Sequence, residues 1–178
     1  MAQPAPAARC FVALLPDAAA RRRLDALARR LHSRHPGARR VPAANLHLTL
    51  AFIGALPATR AQEVSDSLAT LAAPHGVWTV DRICGFARAR VVWAGGEADP
   101  CLLALAQAVR DRLQGLGVSF DRAEFAAHVT LLRGIGAWPQ EALARAIPWP
   151  LSPPVLMVST RAAGGRLRYR PWPARPAN

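Results

Sequence analysis

Lysine is absent from this 178-residue sequence, so the formal net charge of +12 rests on arginine alone. Arginine is the better bidentate partner for phosphate, and the charge therefore fits a phosphate-rich ligand such as RNA. A base-composition bias of the gene, which enriches alanine, arginine, glycine and proline together, explains the same charge. Charge alone thus identifies no ligand.

Cysteine is also scarce. Cys10, Cys84 and Cys101 are odd in number and lack CxxC spacing, which argues against a disulfide framework and a zinc site. The stretch MAQPAPAARC at the start has no signal-peptide pattern. No apolar run approaches the roughly 18 residues that span a membrane. We therefore expect a cytoplasmic monomer with free thiols and no membrane partner.

Hydrophobic periodicity and turn residues predict an α+β order of elements. The predicted strands cover residues 10–16, 46–53, 77–86, 89–95, 128–133, 155–161 and 166–172, and the predicted helices cover residues 18–34, 59–71 and 100–116. Residues 35–45 read as a loop, residues 134–154 as irregular with one helical turn, and residues 162–165 as a hairpin turn. Gly54 is expected to end the second strand. The order predicts one domain over residues 1–178, built of two sheet-and-helix lobes, with residues 1–8 disordered.

Two short stretches carry the same polar pair inside an apolar run: NLHLTLAFIG at residues 45–54 and AAHVTLLRG at residues 126–134. Because side chains alternate across a strand, His47 and Thr49 share one face, and apolar residues occupy the other. His128 and Thr130 repeat this arrangement. Amphipathic strands often turn such polar faces to water, but two copies in matched registers favour two faces that converge on one cleft.

Two converging faces of this kind would support acid–base chemistry. The unperturbed pKa of histidine is about 6.5, so one imidazole can be neutral while the other is protonated. The threonine hydroxyls can donate hydrogen bonds to phosphoryl oxygens, and Arg133 can add positive charge. A two-histidine metal site is the alternative, although neither motif holds an Asp, Glu or Cys beside its histidine.

The motifs and their surroundings resemble the 2H phosphoesterases, which are named for two His-x-Thr/Ser-x motifs. More narrowly, they resemble the LigT/ThpR-type RNA 2′,3′-cyclic phosphodiesterases, historically also called 2′-5′ RNA ligases. The resemblance covers nearly the whole chain, in the segments RCFVALLP, VPAANLHLTLAFIG, ARVVWAG, FAAHVTLLR and GGRLRYRPW. Two residues depart from the pattern: Ala127 replaces a frequent proline, and Arg40 replaces a frequent aromatic residue. Both departures alter the rim of the cleft rather than a catalytic group.

The resemblance implies a bilobal fold, with two antiparallel-sheet lobes and outer helices around a central cleft. It implies His47 as proton donor, His128 as proton acceptor, and Thr49, Thr130 and Arg133 as phosphate-binding residues, with no metal and no cofactor. The implied reaction is hydrolysis of an RNA or oligonucleotide 2′,3′-cyclic phosphate end to a 2′-phosphate. The near symmetry of the motifs leaves open which histidine is the acid and which is the base.

Other functions fit the same motifs. The chemistry also suits a 2′-5′ RNA ligase, a 2′-5′ phosphodiesterase or a phosphodiesterase for small cyclic nucleotides. A non-catalytic RNA-binding module is a further alternative, against which the two intact histidines argue.

Several residues outside the motifs have two interpretations. Arg39 and Arg40 can meet a nucleic-acid backbone or form a solvated surface, and Asn45 can brace the strand entrance or cap the loop. Three aromatic residues can stack on a base or pack in the core: Phe86, Trp93 and Tyr169.

Overall fold

The computed structural model describes residues 8–72, 74–161, 165 and 167–173, and within them two antiparallel sheets and three α-helices. The strands are β1 (Ala8–Leu14), β2 (Arg39–Arg40), β3 (Leu48–Leu56), β4 (Val77–Phe86), β5 (Val91–Gly95), β6 (His128–Arg133), β7 (Glu141–Pro150), β8 (Val155–Arg161) and β9 (Leu167–Pro171). The helices are α1 (Ala18–Arg34), α2 (Ala58–Ala69) and α3 (Pro100–Gly115), and a 3-10 turn covers Ala43–Asn45. The predicted α+β class is confirmed.

Each sheet contains one of the two motif strands. The four-stranded sheet has the order β3-β1-β8-β9, and the five-stranded sheet has the order β2-β6-β5-β4-β7. β3 and β6 lie next to each other where the two sheets meet. The predicted two-lobed arrangement is confirmed, and the assignment of residues 1–178 to one domain stays a prediction.

The helices pack on the sheets and close a shared core. α1 packs against β6 and β7, α2 against β8, and α3 against β3. Asp17 accepts a hydrogen bond from the Ala20 N–H at 2.7 Å, and Asp99 accepts one from the Leu102 N–H at 2.8 Å. These caps satisfy N–H groups that the first turn of a helix leaves free. One continuous apolar core joins the helices to both sheets.

The apolar face of β3 lies in this core, as the alternation predicts. Leu48 and Leu50 of β3, and Leu46 just before the strand, are each at most 1% exposed. Gly54 does not end the strand, and that prediction is wrong. Gly54 adopts φ +89° at an irregularity in the pairing with β1, a conformation that glycine reaches without strain, and the strand continues to Leu56.

The prediction of an irregular segment over residues 134–154 is wrong for β7, which pairs antiparallel with β4. Prolines at positions 148 and 150 conceal the strand in the sequence. They are tolerated because β7 lies at the edge of its sheet. Ile147 and Trp149 alternate with exposed residues and are buried. The Trp149 ring lies 5.5 Å from the Trp78 ring, centroid to centroid, which attaches β7 to the core.

The segment 35–45 also contains more structure than predicted. Arg39 and Arg40 form β2, which pairs with the end of β6, and the 3-10 turn follows before the first motif. A strand of two residues is too short to show periodicity, which is why the sequence does not predict it.

The remaining predictions concern the hairpin near the end of the chain, the disorder at its start, and membrane-spanning segments. β8 and β9 pair antiparallel, as predicted for a hairpin, but most of its predicted turn lies outside the described residues. The predicted disorder of residues 1–8 also falls outside them, except at Ala8, which begins β1. None of the helices in the described part of the chain is long and apolar enough to cross a membrane.

The burial of Trp149 leads to a prediction for stability. We expect Trp149→Ala to lower the free energy of unfolding by about 3–5 kcal/mol, because it leaves a large cavity between β7, β4 and the core. Urea denaturation followed by circular dichroism measures this. Val77→Ala is the control, because Val77 is 52% exposed on the same pair of strands and should change stability by about 0.5 kcal/mol or less. Equal effects of both substitutions would contradict the placement of β7.

Candidate active site

Both motif histidines are held in the same way by the backbone. Nδ1 of His47 lies 2.6 Å from the carbonyl oxygen of Asn45, and Nδ1 of His128 lies 2.8 Å from that of Ala126. A carbonyl oxygen only accepts, so the Nδ1–H group is the donor in each pair. In the neutral imidazole Nε2 therefore carries the lone pair, and Nε2 is the atom that can take up or release a proton.

One extra residue in β6 decides where Arg133 lies. Strict alternation would place Arg133 on the opposite face from Thr130. The register with β5 shifts between Thr130 and Leu132, which leaves Leu131 unmatched. This β-bulge returns Arg133 to the face that carries His128.

The histidines of the two lobes and Arg133 influence each other electrostatically. Removal from water lowers the pKa of His47 to about 4; the hydrogen bond to Asn45 opposes this shift, and the charges of His128 and Arg133 add to it. Burial also lowers the pKa of His128, against its hydrogen bond to Ala126, and Arg133 adds to the lowering. Both imidazoles thus lie in the field of one guanidinium group, and the pKa of each lies below its usual value.

Each motif threonine lies two residues after its histidine in the sequence. Thr130 shares a face of β6 with His128, and Thr49 directly follows the first residue of β3. Thr49 and His128, which come from different lobes, line one cavity of about 530 Å³. His47 is not part of that lining, but it lies close enough to His128 and Arg133 for both to lower its pKa.

Aromatic rings surround His47. The Phe11 ring lies 4.8 Å from the imidazole, and the Tyr169 ring meets it edge-on at 5.1 Å, centroid to centroid. These contacts remove the imidazole from water and restrict its orientation. The sequence indicates Tyr169 as a candidate but not Phe11, because residues 10–16 of the predicted first strand are apolar throughout and show no alternation.

A second pair of rings packs against His128. Phe86 meets the imidazole edge-on at 5.1 Å, and Trp93 does so at 6.0 Å. Gly95 pairs directly opposite His128 in β5. A Cβ atom at Gly95 would lie 2.5 Å from the carbonyl oxygen of Ala127 and 2.8 Å from the Trp93 ring, so this position requires glycine.

Asn45 connects the first motif to β9 by side-chain hydrogen bonds. It is 7% exposed. Its side-chain amide donates to the carbonyl oxygen of Leu167 at 2.9 Å, and its side-chain oxygen accepts from the Tyr169 N–H at 3.2 Å. Its own carbonyl oxygen binds His47. Asn45 thus braces the strand entrance, the first of its two interpretations, and positions both His47 and Tyr169.

The two arginines before the first motif have different surroundings. Arg40 forms an ion pair with Asp25 of α1 at 2.5 Å. Arg39 is exposed and pairs directly opposite Arg133, so it lies on the face of the sheet that carries His128. Of these two arginines, Arg39 is therefore the one that shares a face with Arg133 and His128.

Comparison with known proteins places this arrangement among the 2H phosphoesterases. The sequence pattern of the LigT-like phosphoesterases matches residues 14–93. The chain is 36% identical over 96 residues to the RNA 2′,3′-cyclic phosphodiesterase of Escherichia coli K12, a match that spans 53% of this chain and 54% of that protein, so about half of that relative's length. It is 29% identical over 130 residues to the RNA 2′,3′-cyclic phosphodiesterase of Thermotoga maritima, across 70% of this chain and 69% of that protein.

Solved structures extend the likeness to nearly the whole chain. The crystal structure of E. coli LigT in complex with NADP+ is 30% identical, with a TM-score of 0.79 over 94% of this chain and 95% of that chain. The complex of E. coli LigT with 3′-AMP is 29% identical, with the same TM-score, over 93% and 95%. The fold and the paired motifs define a 2H phosphoesterase. Within that class, the chain belongs to the LigT-like phosphoesterase family.

The shared field of Arg133 leads to a prediction for histidine titration. In ¹H NMR titrations of the free protein we expect His47 to titrate near the value of about 4 set by its burial, and His128 to titrate below its usual pKa. Arg133→Gln should raise both values, because it removes a positive charge that disfavours imidazolium. Arg22→Gln, on the outer helix α1, is the control and should move neither. If Arg133→Gln left both titrations unchanged, Arg133 would not lie at the site.

Proposed function

We propose that this protein hydrolyses 2′,3′-cyclic phosphate ends of RNA to 2′-phosphates by two-histidine acid–base catalysis. The observation that carries the proposal is the matched pair of imidazoles, one from each lobe, each bound through Nδ1–H to a backbone carbonyl, which leaves Nε2 as the atom that can exchange a proton. The names of the E. coli and T. maritima relatives support the substrate class. The net charge of +12 suits a polyanionic ligand.

The proposed step exchanges one bond to phosphorus for another. Nε2 of neutral His128 takes a proton from water, whose oxygen attacks the phosphorus of the cyclic ester. The bond from phosphorus to the ribose 3′ oxygen breaks. Nε2 of protonated His47 donates its proton to that leaving oxygen, and the 2′-phosphate remains. At the end His47 is neutral and His128 is charged, so a proton must pass back through solvent before the next turnover.

Three further side chains are proposed to stabilise the charge of the transition state. The hydroxyls of Thr49 and Thr130 donate to the non-bridging phosphoryl oxygens from the two sides of the cleft. Arg133 adds a full positive charge, which the bulge in β6 directs to the same side. Donors fixed in this way before the substrate binds stabilise the charge as it develops on these oxygens.

The lowered histidine pKa values are compatible with this scheme because the substrate is an anion. In the free protein, burial and the neighbouring positive charges disfavour imidazolium at both positions. A bound phosphate supplies the missing negative charge and raises the pKa of any imidazole beside it. Binding of the substrate thus favours the protonated histidine that acts as the general acid. The role of His47 as that acid rests on the family resemblance.

The proposal predicts the effect of removing either histidine. We expect His47→Ala and His128→Ala each to lower hydrolysis of a cyclic-phosphate oligonucleotide at least about 100-fold, the low end of a general acid–base contribution. The assay measures release of the 2′-phosphate in the presence of EDTA, because neither motif offers a carboxylate or thiolate beside its histidine.

His75→Ala is the control for this experiment, because His75 is exposed and lies before β4; it should retain full activity. Near-wild-type rates in a folded His47 or His128 variant would refute the two-histidine mechanism. Loss of wild-type activity in EDTA, restored by a divalent ion, would favour a metal site instead. Tight binding without any turnover would favour a non-catalytic RNA-binding module.

The pH dependence should reflect the lowered pKa values. We expect a bell-shaped profile of kcat/KM, because one imidazole must be neutral while the other is charged. Since kcat/KM reports the free enzyme, and both pKa values lie below 6.5 there, the alkaline limb should begin below about pH 6.5. The limbs of kcat should lie at higher pH, because bound phosphate favours imidazolium. A flat profile of both parameters between about pH 5 and 9, with chemistry rate-limiting, would exclude the acid–base pair.

A further inference from the structure

Three segments of the chain meet at one end of the five-stranded sheet, and they carry arginines but no acidic residue. They cover residues 35–41, 86–92 and 131–140, and none of them contains an Asp or a Glu. Arg133 pairs with Arg39 on one side and with Val91 on the other. The Gly134 N–H donates to the carbonyl oxygen of Arg90 at 2.7 Å, and the Arg90 guanidinium donates to that of Gly134 at 3.0 Å. Positive charge therefore collects at this end of the sheet.

We call the exposed arginines of these three segments the basic end: Arg39, Arg88, Arg90 and Arg133. Within the part of the chain that the structure describes, none of the four forms a salt bridge. Their neighbour Arg40 differs, because it is paired with Asp25 of α1. The charges of the basic end are therefore available to an anion from outside the chain.

Arg39 and Arg133 form a cross-strand pair of like charges. Directly opposite residues of antiparallel strands have Cβ atoms about 4.5–5.5 Å apart, and like charges at such positions are destabilising. The backbone nevertheless holds the pair in place, since the Val41 N–H donates to the carbonyl oxygen of Leu131 at 2.9 Å and anchors β2 on β6. Anions bound beside the two guanidinium groups would offset their repulsion, so the pair suits a ligand with more than one negative charge.

Arg39 lies farther from the reacting groups than Arg133 does. β2 is the edge strand beyond β6, one strand spacing of about 5 Å away. The pKa of both motif histidines responds to the charge of Arg133 and not to that of Arg39. If Arg133 binds the reacting phosphate, Arg39 is therefore placed for a second anionic group beside it rather than for the same one.

The chemistry of the proposed substrate identifies that second group. A cyclic phosphate occupies both the 2′ and the 3′ oxygen of the terminal ribose, so any other phosphate of the same nucleotide must be on its 5′ oxygen. In an RNA chain this is the phosphodiester that joins the terminal nucleotide to the preceding one. A nucleoside 2′,3′-cyclic phosphate lacks it.

We propose that Arg39 binds the phosphodiester on the 5′ side of the terminal nucleotide, and that the protein thereby prefers the end of an RNA chain to a nucleoside 2′,3′-cyclic phosphate. The inference rests on the proposed function for the position of the reacting phosphate. Arg88 and Arg90, on the other side of Arg133, add positive potential that attracts a polyanion. An arginine on an edge strand also discourages pairing with other chains, but that role involves no substrate phosphate, and the experiment separates the two.

The test removes one charge from the substrate and one from the protein. The substrates are the dinucleotide ApA with a 2′,3′-cyclic phosphate end and the same dinucleotide with an uncharged methylphosphonate link. Wild-type kcat/KM should be about 5- to 10-fold higher for the phosphodiester, between the effect of a strong surface ion pair and that of a hydrogen bond to a charged group. Arg39→Gln should lose this factor on the phosphodiester alone, so that it hydrolyses both substrates at rates within about twofold of each other.

Arg22→Gln is the matched control, because it removes the same charge from an exposed position on α1; it should keep the full preference for the phosphodiester. The absence of a preference in the wild type would overturn the proposal. A preference that Arg39→Gln leaves intact, or an equal loss on both substrates, would overturn it as well.

Binding of ApA that ends in a 2′-phosphate, measured by calorimetry, separates this inference from the proposed function. Arg39→Gln should weaken this binding about 5- to 10-fold and lower the slope of log Kd against log salt by about 0.7, the value for one phosphate contact on a single strand. That result supports the contact even if no cyclic phosphate is hydrolysed. Unchanged affinity and slope would contradict it even if His47 and His128 prove essential.

Discussion

The hydrogen bond from Nδ1–H of each motif histidine to the carbonyl oxygen two residues earlier is the interaction on which the site depends. It fixes the tautomer, so that Nε2 of both His47 and His128 is the atom that can exchange a proton in the proposed reaction. It also opposes the effect of burial on the pKa of each ring. Asn45 extends this control, because the residue that holds His47 by its carbonyl also holds β9 by its side chain. The orientation of His47 is thus set by backbone that belongs to the core of the fold.

Each motif strand contains a β-bulge at the same position, but the residue that follows the bulge on the cleft face differs between the two lobes. Both motifs bring a histidine and a threonine to the site, and the strand of each motif then inserts one leucine that packs into the core, Leu50 in β3 or Leu131 in β6. The next residue to reach the cleft is Phe52 in one lobe and Arg133 in the other. Without the bulges, alternation would turn Phe52 and Arg133 away from the cleft, where an arginine would have to be buried among apolar side chains. The bulges therefore allow each strand to place consecutive apolar residues in the core and the next residue on the cleft face.

The sequence predicts the parts of this structure that follow from periodicity. The three helices, the pairing of β4 with β5, and the polar and apolar faces of the motif strands all agree with it. The sequence does not predict β7, because its prolines are acceptable only at a sheet edge, and an edge is a property of the assembled sheet. The same limit explains Phe52: a bulge is defined by the partner strand, so residue spacing alone assigns Phe52 to the wrong face. Arg133 is predicted from its position near Thr130, and the resemblance implies it as a phosphate-binding residue, but alternation alone would turn its side chain to the opposite face.

The electrostatics of the cleft suit a protein that must distinguish an anionic substrate from water. Burial and the nearby guanidinium lower the pKa of both imidazoles in the free protein, which disfavours the imidazolium that the proposed acid–base pair requires. Only a ligand that brings negative charge between His47, His128 and Arg133 restores a stable imidazolium. An uncharged ester of the same shape would leave the pair neutral. In the proposed mechanism, the burial and the positive field that lower the histidine pKa values therefore make the assembly of the acid–base pair conditional on a bound phosphate.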